Sequence, residues 1–260
     1  MRSNRLQPNP DKTEVLWCTT SRCQHQLPTC KPTCPLVIDG CSVYPAASAR
    51  DLGVYVDCDL SMRAHVARTT LRCFASLRQL RQIRHSVPTA TFQMLIVAMV
   101  HSRLDYGNAV LAGLPAYLLR RLQSVLNASA RLIYRLGFRD HITDALISLH
   151  WLRVRERVEF KLATLTYKLL HSQAPSYLGP LVPVVDVPGR RPLRSANTDC
   201  LMVPHVRLSS VGNRAFPVAA PRVWNSLSYK VTSAQRLYSF QQHLKTFLFQ
   251  RFFPDVIVTL

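Results

Sequence analysis

Apolar residues recur every three or four positions in two long stretches of the chain, 115–136 and 153–171. An α-helix has about 3.6 residues per turn, so this spacing gathers the apolar side chains on one face. Similar stripes run through 61–85 and 233–252, and the more apolar stretch 89–111 predicts a further, more buried helix. A chain with these periods predicts a core made mainly of packed helices.

The first 60 residues lack the helical period and are short and punctuated. Residues 13–19 and 52–57 predict strands. Residues 36–38 and 41–44 flank Asp39-Gly40, a pair that favours a tight hairpin turn. The fold class predicted is therefore α+β, mainly α-helical, with a small β region, a helical bundle and a mixed C-terminal extension.

Composition shifts divide the chain into four predicted parts: 1–60, the helical bundle 61–172, a connector 173–198 with five prolines, and 199–260. The last part predicts short strands at 201–203 and 215–216, a turn at 220–227 and the terminal helix. We expect 19–35 and 179–198 to be poorly ordered. The residues expected to be buried in the bundle are Leu77, Leu122, Val125, Leu132, Leu162 and Leu165.

Charge is the strongest indication of function. The 260 residues include 33 Lys and Arg against 14 Asp and Glu, a net charge of +19. Such a field favours polyanions, first nucleic acid and then acidic membrane. Arginine accounts for 27 of the basic residues, and its planar fork suits phosphate and base stacking better than lysine does. The polar start and the short apolar runs predict no signal peptide and no membrane span, hence an intracellular protein of nucleus or cytoplasm.

The basic residues are poorly matched by acids. Between Ser61 and Gly137 there are eleven arginines and a single acidic residue, Asp105. Unpaired like charges repel one another unless a polyanion neutralises them, which favours RNA or DNA backbone binding over a merely solubilising surface. The residues predicted to bind nucleic acid are Arg68, Arg72, Arg120, Arg131, Arg135, Arg153, Arg157 and Lys161.

Catalytic and metal motifs are missing from the sequence. Asp57 and Asp59 could hold a divalent cation, but a polar strand end is the simpler interpretation. Asp140 stands where a helix cap belongs. The eight cysteines form no paired knuckles of the kind zinc prefers, and we expect reduced thiols. No catalytic residue, metal site or cofactor is predicted.

Several strings nevertheless resemble one family in order along nearly the whole chain. They are Asn4-Arg5-Leu6-Gln7-Pro8-Asn9-Pro10-Asp11-Lys12-Thr13-Glu14, Leu52-Gly53-Val54-Tyr55-Val56-Asp57 with Leu60-Ser61-Met62 and His65-Val66, Ser102-Arg103-Leu104-Asp105-Tyr106-Gly107-Asn108, Leu149-His150-Trp151-Leu152, Ala174-Pro175-Ser176-Tyr177-Leu178 and Ala220-Pro221-Arg222-Val223-Trp224-Asn225. Together they resemble the end of the palm, the thumb and the C-terminal extension of LINE-type (non-long-terminal-repeat) retrotransposon reverse transcriptases, of the chicken-repeat and Jockey-like branch.

The resemblance implies a nucleic-acid-binding fragment of an RNA-directed DNA polymerase. Family members bind two magnesium ions on palm aspartates, including a Phe/Tyr-Ala-Asp-Asp turn, and no such string occurs in this sequence. Lys12 matches the palm lysine thought to approach the incoming triphosphate. Two alternatives stay open: an active polymerase whose palm is supplied by sequence missing here, and a basic helical protein without a specific function.

Overall fold

The computed structural model of the chain describes residues 9, 12–18, 34–38, 40–187 and 200–254, apart from the side chains of residues 209 and 210. The chain divides into two compact units, 1–69 and 70–260. It is mainly helical, with two antiparallel sheets of two strands each. The predicted α+β, mainly α-helical class is thereby confirmed, whereas the four-part division of the chain stays a prediction.

The strands of the first unit form two hairpins. They are β1 (Leu36–Ile38) with β2 (Cys41–Val43), and β3 (Ser48–Asp51) with β4 (Val54–Asp57). Gly40 has φ 82°, and Leu52 and Gly53 have φ 42° and 87°. In the second hairpin both central residues, Leu52 and Gly53, have positive φ, which is the geometry of a type I′ turn and matches the twist of paired strands. The first hairpin confirms the prediction.

The N-terminal strand predicted at 13–19 is wrong over its described part. Only Val15 is paired, in an isolated bridge with Pro45, and residue 19 lies outside the described residues. β3 was missed because its Ser-Ala-Arg-Asp sequence has no apolar alternation. Its pairing with β4 supplies the stability that local sequence lacks.

The helices follow the periodic stretches closely. They are α1 (Arg63–Ile83), α2 (Thr89–Ile96), a π-helical turn (Val97–His101), α3 (Ser102–Asp105), α4 (Ala116–Tyr134), α5 (Thr143–Ser148), α6 (Val154–Leu170), α7 (Ser209–Gly212), α8 (Phe216–Asn225), α9 (Tyr229–Thr232) and α10 (Leu237–Phe252). Short 3₁₀ turns lie at Asn108–Leu111, Ser176–Leu178 and Val184–Asp186. The stripes at 61–85, 115–136, 153–171 and 233–252 are confirmed as helices.

The core of the second unit is built around α6. This helix packs against α4, α8 and α10. Tyr167 of α6 stacks on Phe240 of α10 at 4.4 Å between ring centroids, and its hydroxyl donates to the Ala234 carbonyl at 3.0 Å. Large aromatic surfaces dominate such packing energies. Residues beyond position 200 thus share one core with the helices that precede the connector.

Several sequence predictions fail at particular elements. The single helix predicted over 89–111 contains the π-helical turn and ends at Asp105. The strand predicted at 215–216 and the turn predicted at 220–227 are wrong: α8 runs from Phe216 to Asn225 and contains Pro221, with Ala215 as its N-cap and Ser226 as its C-cap. At 201–203 only Leu201 is paired, in a bridge with Pro183.

The buried residues were predicted with two errors. Leu77, Leu122, Val125 and Leu162 are buried, whereas Leu132 and Leu165 are half-buried. Leu132 lines an open groove described below, which is why its face is not fully covered. Most of the stretches expected to be poorly ordered, residues 19–33 and 188–199, lie outside the described residues.

Candidate functional site

A groove of about 870 Å³ in the second unit is lined by five arginines and by apolar side chains. It lies between the C-terminal half of α1, the C-terminal half of α4 and the turn that follows α4. Its lining residues are Phe74, Leu77, Arg78, Arg81, Arg84, His85, Ala128, Arg131, Leu132, Arg135, Leu136, Gly137 and Phe138. None of these lining residues is acidic.

The two walls have the same helical design. The lining positions of one wall are 74, 77, 78 and 81 of α1, with 84 and 85 just after the helix; those of the other wall are 128, 131 and 132 of α4, with 135 just after it. Each lies three or four residues from another position of the same wall. This spacing puts each set on one helix face, with neighbours about one 5.4 Å turn apart. Arginines therefore stand in a row on each wall, and Phe74, Leu77 and Leu132 belong to the same lining.

Arg84 differs from the exposed groove arginines because its guanidinium is buried and hydrogen-bonded to backbone oxygens. It donates to the carbonyl oxygens of Leu132 at 3.2 Å and Ile133 at 2.7 Å, and lies 4.9 Å from the Phe92 ring centroid. A cation at the C-terminus of a helix satisfies carbonyls that lack helical partners. Arg84 therefore closes the end of α4 and stabilises the groove.

Arg78, Arg81 and Arg135 are exposed. Within the part of the chain that the structure describes, ion pairs join Arg155 and Arg251 to Glu159, and Arg157 to Asp105. Those carboxylates lie outside the groove lining. The groove thus holds several guanidinium groups with no neighbouring carboxylate among its described lining residues.

Arg135 stands at a backbone position that glycine usually occupies. It follows α4 with φ 56° in the left-handed region, and the backbone N–H groups of Arg135 and Leu136 both donate to the Arg131 carbonyl. The periodic stretch extends to residue 136, whereas the left-handed residue that ends α4 is Arg135. A left-handed arginine costs about 1 kcal/mol more than glycine would, and its side chain lines the groove.

The turn after α4 is held by Asp140. Its carboxylate accepts a 2.7 Å hydrogen bond from the Gly137 N–H, and its carbonyl lies 3.5 Å from Arg131 Nη2. The prediction that Asp140 caps a helix is wrong, since α5 begins at Thr143 after Ile142. The carboxylate instead accepts a hydrogen bond from the Gly137 N–H, in the loop that precedes it.

The groove contains two of the eight arginines and lysines predicted from sequence, Arg131 and Arg135. Arg120 and Lys161 are exposed outside its lining, and Arg72 is exposed with its carbonyl accepting from Arg103. Arg68, in the first unit, stacks on Tyr55 at 3.9 Å from the ring centroid. Arg78 and Arg81 are among the eleven arginines between Ser61 and Gly137, but they were not among the residues predicted to bind nucleic acid. They lie on one face of α1.

Arg153 and Arg157 have protein partners that the sequence did not reveal. The Arg153 guanidinium lies 3.5 Å from the Phe252 ring centroid, and burial lowers the pKa of Arg153. Arg157 forms a two-pronged ion pair with Asp105, in which Nε to Oδ1 is 2.8 Å. Both side chains therefore tie α6 to distant segments of the second unit.

The other candidate residues have local roles in the first unit. Asp57 accepts hydrogen bonds from the Ser61 hydroxyl at 3.0 Å and the Ala64 N–H at 3.2 Å, while Asp59 accepts from the Ser61 N–H at 2.9 Å. These carboxylates fasten the start of α1 to β4. Lys12 is exposed in a short helical turn. No group of three or more metal-binding side chains occurs among the described residues.

Comparisons with protein-family models, curated proteins and solved structures found no match to this chain. The likeness to LINE-type reverse transcriptases therefore stays a resemblance of the quoted strings. Within its described residues the structure has no helix that is both long and apolar enough to cross a membrane.

Proposed function

We propose that this chain is a nucleic-acid-binding, reverse-transcriptase-derived protein that holds a phosphate backbone along the groove between α1 and α4. The observation that supports this proposal is the double row of arginines, with Arg78 and Arg81 on one wall and Arg131 and Arg135 on the other. Phosphate groups would supply the negative charge that no carboxylate supplies among the described lining residues.

A polyanion fits this groove for electrostatic reasons. Arginines set one helical turn apart on both walls repel one another in the absence of anions, so neutralisation lowers the free energy of the site. Guanidinium groups also bind phosphate oxygens in a bidentate manner. Contacts of this kind set register on the backbone and read no bases, so we expect little sequence preference.

The proposed role is binding without nucleotide transfer by this polypeptide. Two-metal phosphoryl transfer needs carboxylates that clamp the attacking and leaving oxygens. Asp57 and Asp59, the closest acidic pair in sequence, accept hydrogen bonds at the start of α1. Magnesium belongs to the intact family enzyme that the resemblance implies, and nothing in the groove is suited to hold it.

The first prediction tests the groove by changing three exposed lining arginines together, Arg78→Gln, Arg81→Gln and Arg135→Gln. Arg84 and Arg131 are left unchanged because their guanidinium groups contact backbone carbonyls. A fluorescence-anisotropy titration at several salt concentrations measures the slope of log K against log salt. Four duplex phosphates neutralised in the groove correspond to a slope of roughly −4, and the triple variant should make it less negative by about 3.

A matched control removes the same charge elsewhere, with Arg207→Gln, Arg222→Gln and Arg236→Gln, all exposed outside the groove lining. We expect this control to leave the slope within about one unit of wild type, because counterion release follows contacts rather than net charge. Equal slopes for wild type and the groove variant would contradict the proposal, as would failure of the folded protein to bind at low salt.

A further inference from the structure

One lining residue of the groove is neither charged nor packed. Phe138 is 91% exposed, in the turn immediately after the left-handed Arg135. Exposing a whole phenylalanine ring forgoes about 1.5–3 kcal/mol of the stabilisation that burial would give. Single exposed apolar residues are common on protein surfaces. What distinguishes Phe138 is that it lines the groove together with the arginine rows.

The turn that carries Phe138 is fixed on both sides. The preceding Gly137 N–H donates to the Asp140 carboxylate at 2.7 Å, and the Asp140 N–H donates back to the Gly137 carbonyl at 3.4 Å. The Leu136 N–H is bonded to the Arg131 carbonyl at 2.9 Å, which joins the turn to the last turn of α4. The backbone is thus held in place while the ring stays in solvent.

We propose that Phe138 is a stacking platform for an unpaired base, and that the groove therefore binds single-stranded RNA or DNA in preference to duplex. This inference rests on the proposed function, since the arginine rows hold the backbone that delivers the base. A flat aromatic face beside a basic groove is the combination by which proteins bind single strands without reading sequence. A continuous duplex keeps its base faces stacked inside and offers only backbone to this surface.

The apolar lining of the groove supports the same occupant. Phe74 and Leu132, both half-buried, line the groove together with the arginines and Phe138. Ribose and base carbons of a single strand can cover this surface, whereas the phosphates of a duplex backbone would leave it in contact with water. The groove therefore combines an electrostatic track with one aromatic and one aliphatic contact surface.

The test compares wild type with Phe138→Ala and Phe138→Trp, using labelled single-stranded RNA, single-stranded DNA, duplex DNA and a strand of abasic nucleotides. Phe138→Ala should weaken binding to both ordinary single strands by about 5- to 150-fold, the range for loss of one stacked base. Its affinity for duplex and for the abasic strand should stay at the wild-type value. Phe138→Trp should keep or strengthen single-strand binding. A Tyr177→Ala control removes another aromatic ring, 82% exposed outside the groove lining, and should have no effect.

The outcomes distinguish failure of the stacking platform from failure of backbone binding by the groove. If Phe138→Ala binds ordinary single strands as wild type does, or loses affinity equally for abasic strands, the stacking platform is overturned while backbone binding stands. If instead the groove arginine variant keeps the full salt slope, backbone binding itself fails. Far-ultraviolet circular dichroism of each variant establishes that the compared proteins are folded.

Discussion

Arg81, in the last turn of α1, and Arg84, just after that helix, both line the groove, yet their surroundings differ. The Arg84 guanidinium donates to four oxygens, those of the Leu132, Ile133 and Val87 carbonyls and the Thr89 hydroxyl. Arg81 is exposed. Removing one partner of a buried, hydrogen-bonded charge lowers the free energy of unfolding by several kcal/mol, because the other partner is left unsatisfied. Removing an exposed arginine changes stability little.

The prediction at the scale of single residues is that Arg84→Gln lowers the free energy of unfolding by about 2–4 kcal/mol. The shorter amide cannot reach all four oxygens, so carbonyls at the end of α4 lose their donors. Arg81→Gln, the matched control, should change stability by less than about 0.5 kcal/mol. Urea denaturation followed by circular dichroism measures both. Similar midpoints for the two variants would show that Arg84 does not hold α4.

The end of α4 shows a conflict between stability and binding within one element. A helix C-terminus favours glycine in the left-handed region because glycine has no Cβ. Here Arg135 occupies that position with φ 56° and places its side chain in the groove lining. The backbone strain is of the kind found at functional positions, where a side chain is needed despite its conformational cost.

At the scale of the element, Arg135→Gly should raise the free energy of unfolding by up to about 1 kcal/mol, since the left-handed strain is relieved. The same change should make the duplex salt slope less negative by about 0.9, the value for one lost phosphate contact. Arg135→Gln is the control: it removes the charge but keeps the Cβ, so it should reproduce the binding loss without the gain in stability. A destabilised Arg135→Gly protein would contradict this account.

At the scale of the whole molecule, a polar network of the buried His101 and the partly exposed pair Asp105 and Arg157 joins distant parts of the second unit. Asp105 pairs with Arg157, whose guanidinium also lies 3.4 Å from His101 Nδ1, and the His101 ring meets Trp151 at 4.1 Å between centroids. Asp105 and Trp151 belong to two of the strings that carry the family resemblance, Arg157 belongs to α6 and His101 to the π-helical turn. Burial first, and then the charge of Arg157, lowers the pKa of His101 to about 3.

This shift determines how stability responds to acid. His101 is neutral in the folded chain down to about pH 3 but gains a proton near pH 6.5 when unfolded. The unfolded state therefore binds more protons between these values, and stability falls as pH drops below 6.5, by up to about 1.4 kcal/mol per pH unit. Burial lowers the pKa of His65 and so acts in the same direction, while burial raises the pKa of Glu156 and acts in the opposite one.

We therefore predict that His101→Gln weakens the acid sensitivity of the protein. Urea denaturation at pH 7, 6 and 5 should show a smaller decrease of unfolding free energy in this variant than in wild type, even if its stability at pH 7 is lower. His243→Gln, which changes an exposed histidine of α10, should follow the wild-type profile. Parallel profiles for wild type and His101→Gln would show that His101 does not set this dependence.

The sequence by itself determined the positions of the long helices and of the first hairpin, because the spacing of apolar residues and the Asp-Gly pair act over one or two turns of chain. Tertiary structure alone decided the role of each arginine. The partners of Arg84 and Arg157 lie about 50 residues away along the chain, at Leu132 and Asp105, and no local pattern reports them. Tertiary structure also decided the groove, because Arg78 and Arg135 share a site only when α1 and the end of α4 are brought together. A charge in a sequence has a sign and a position, but its solvation and its partners exist only in the folded chain.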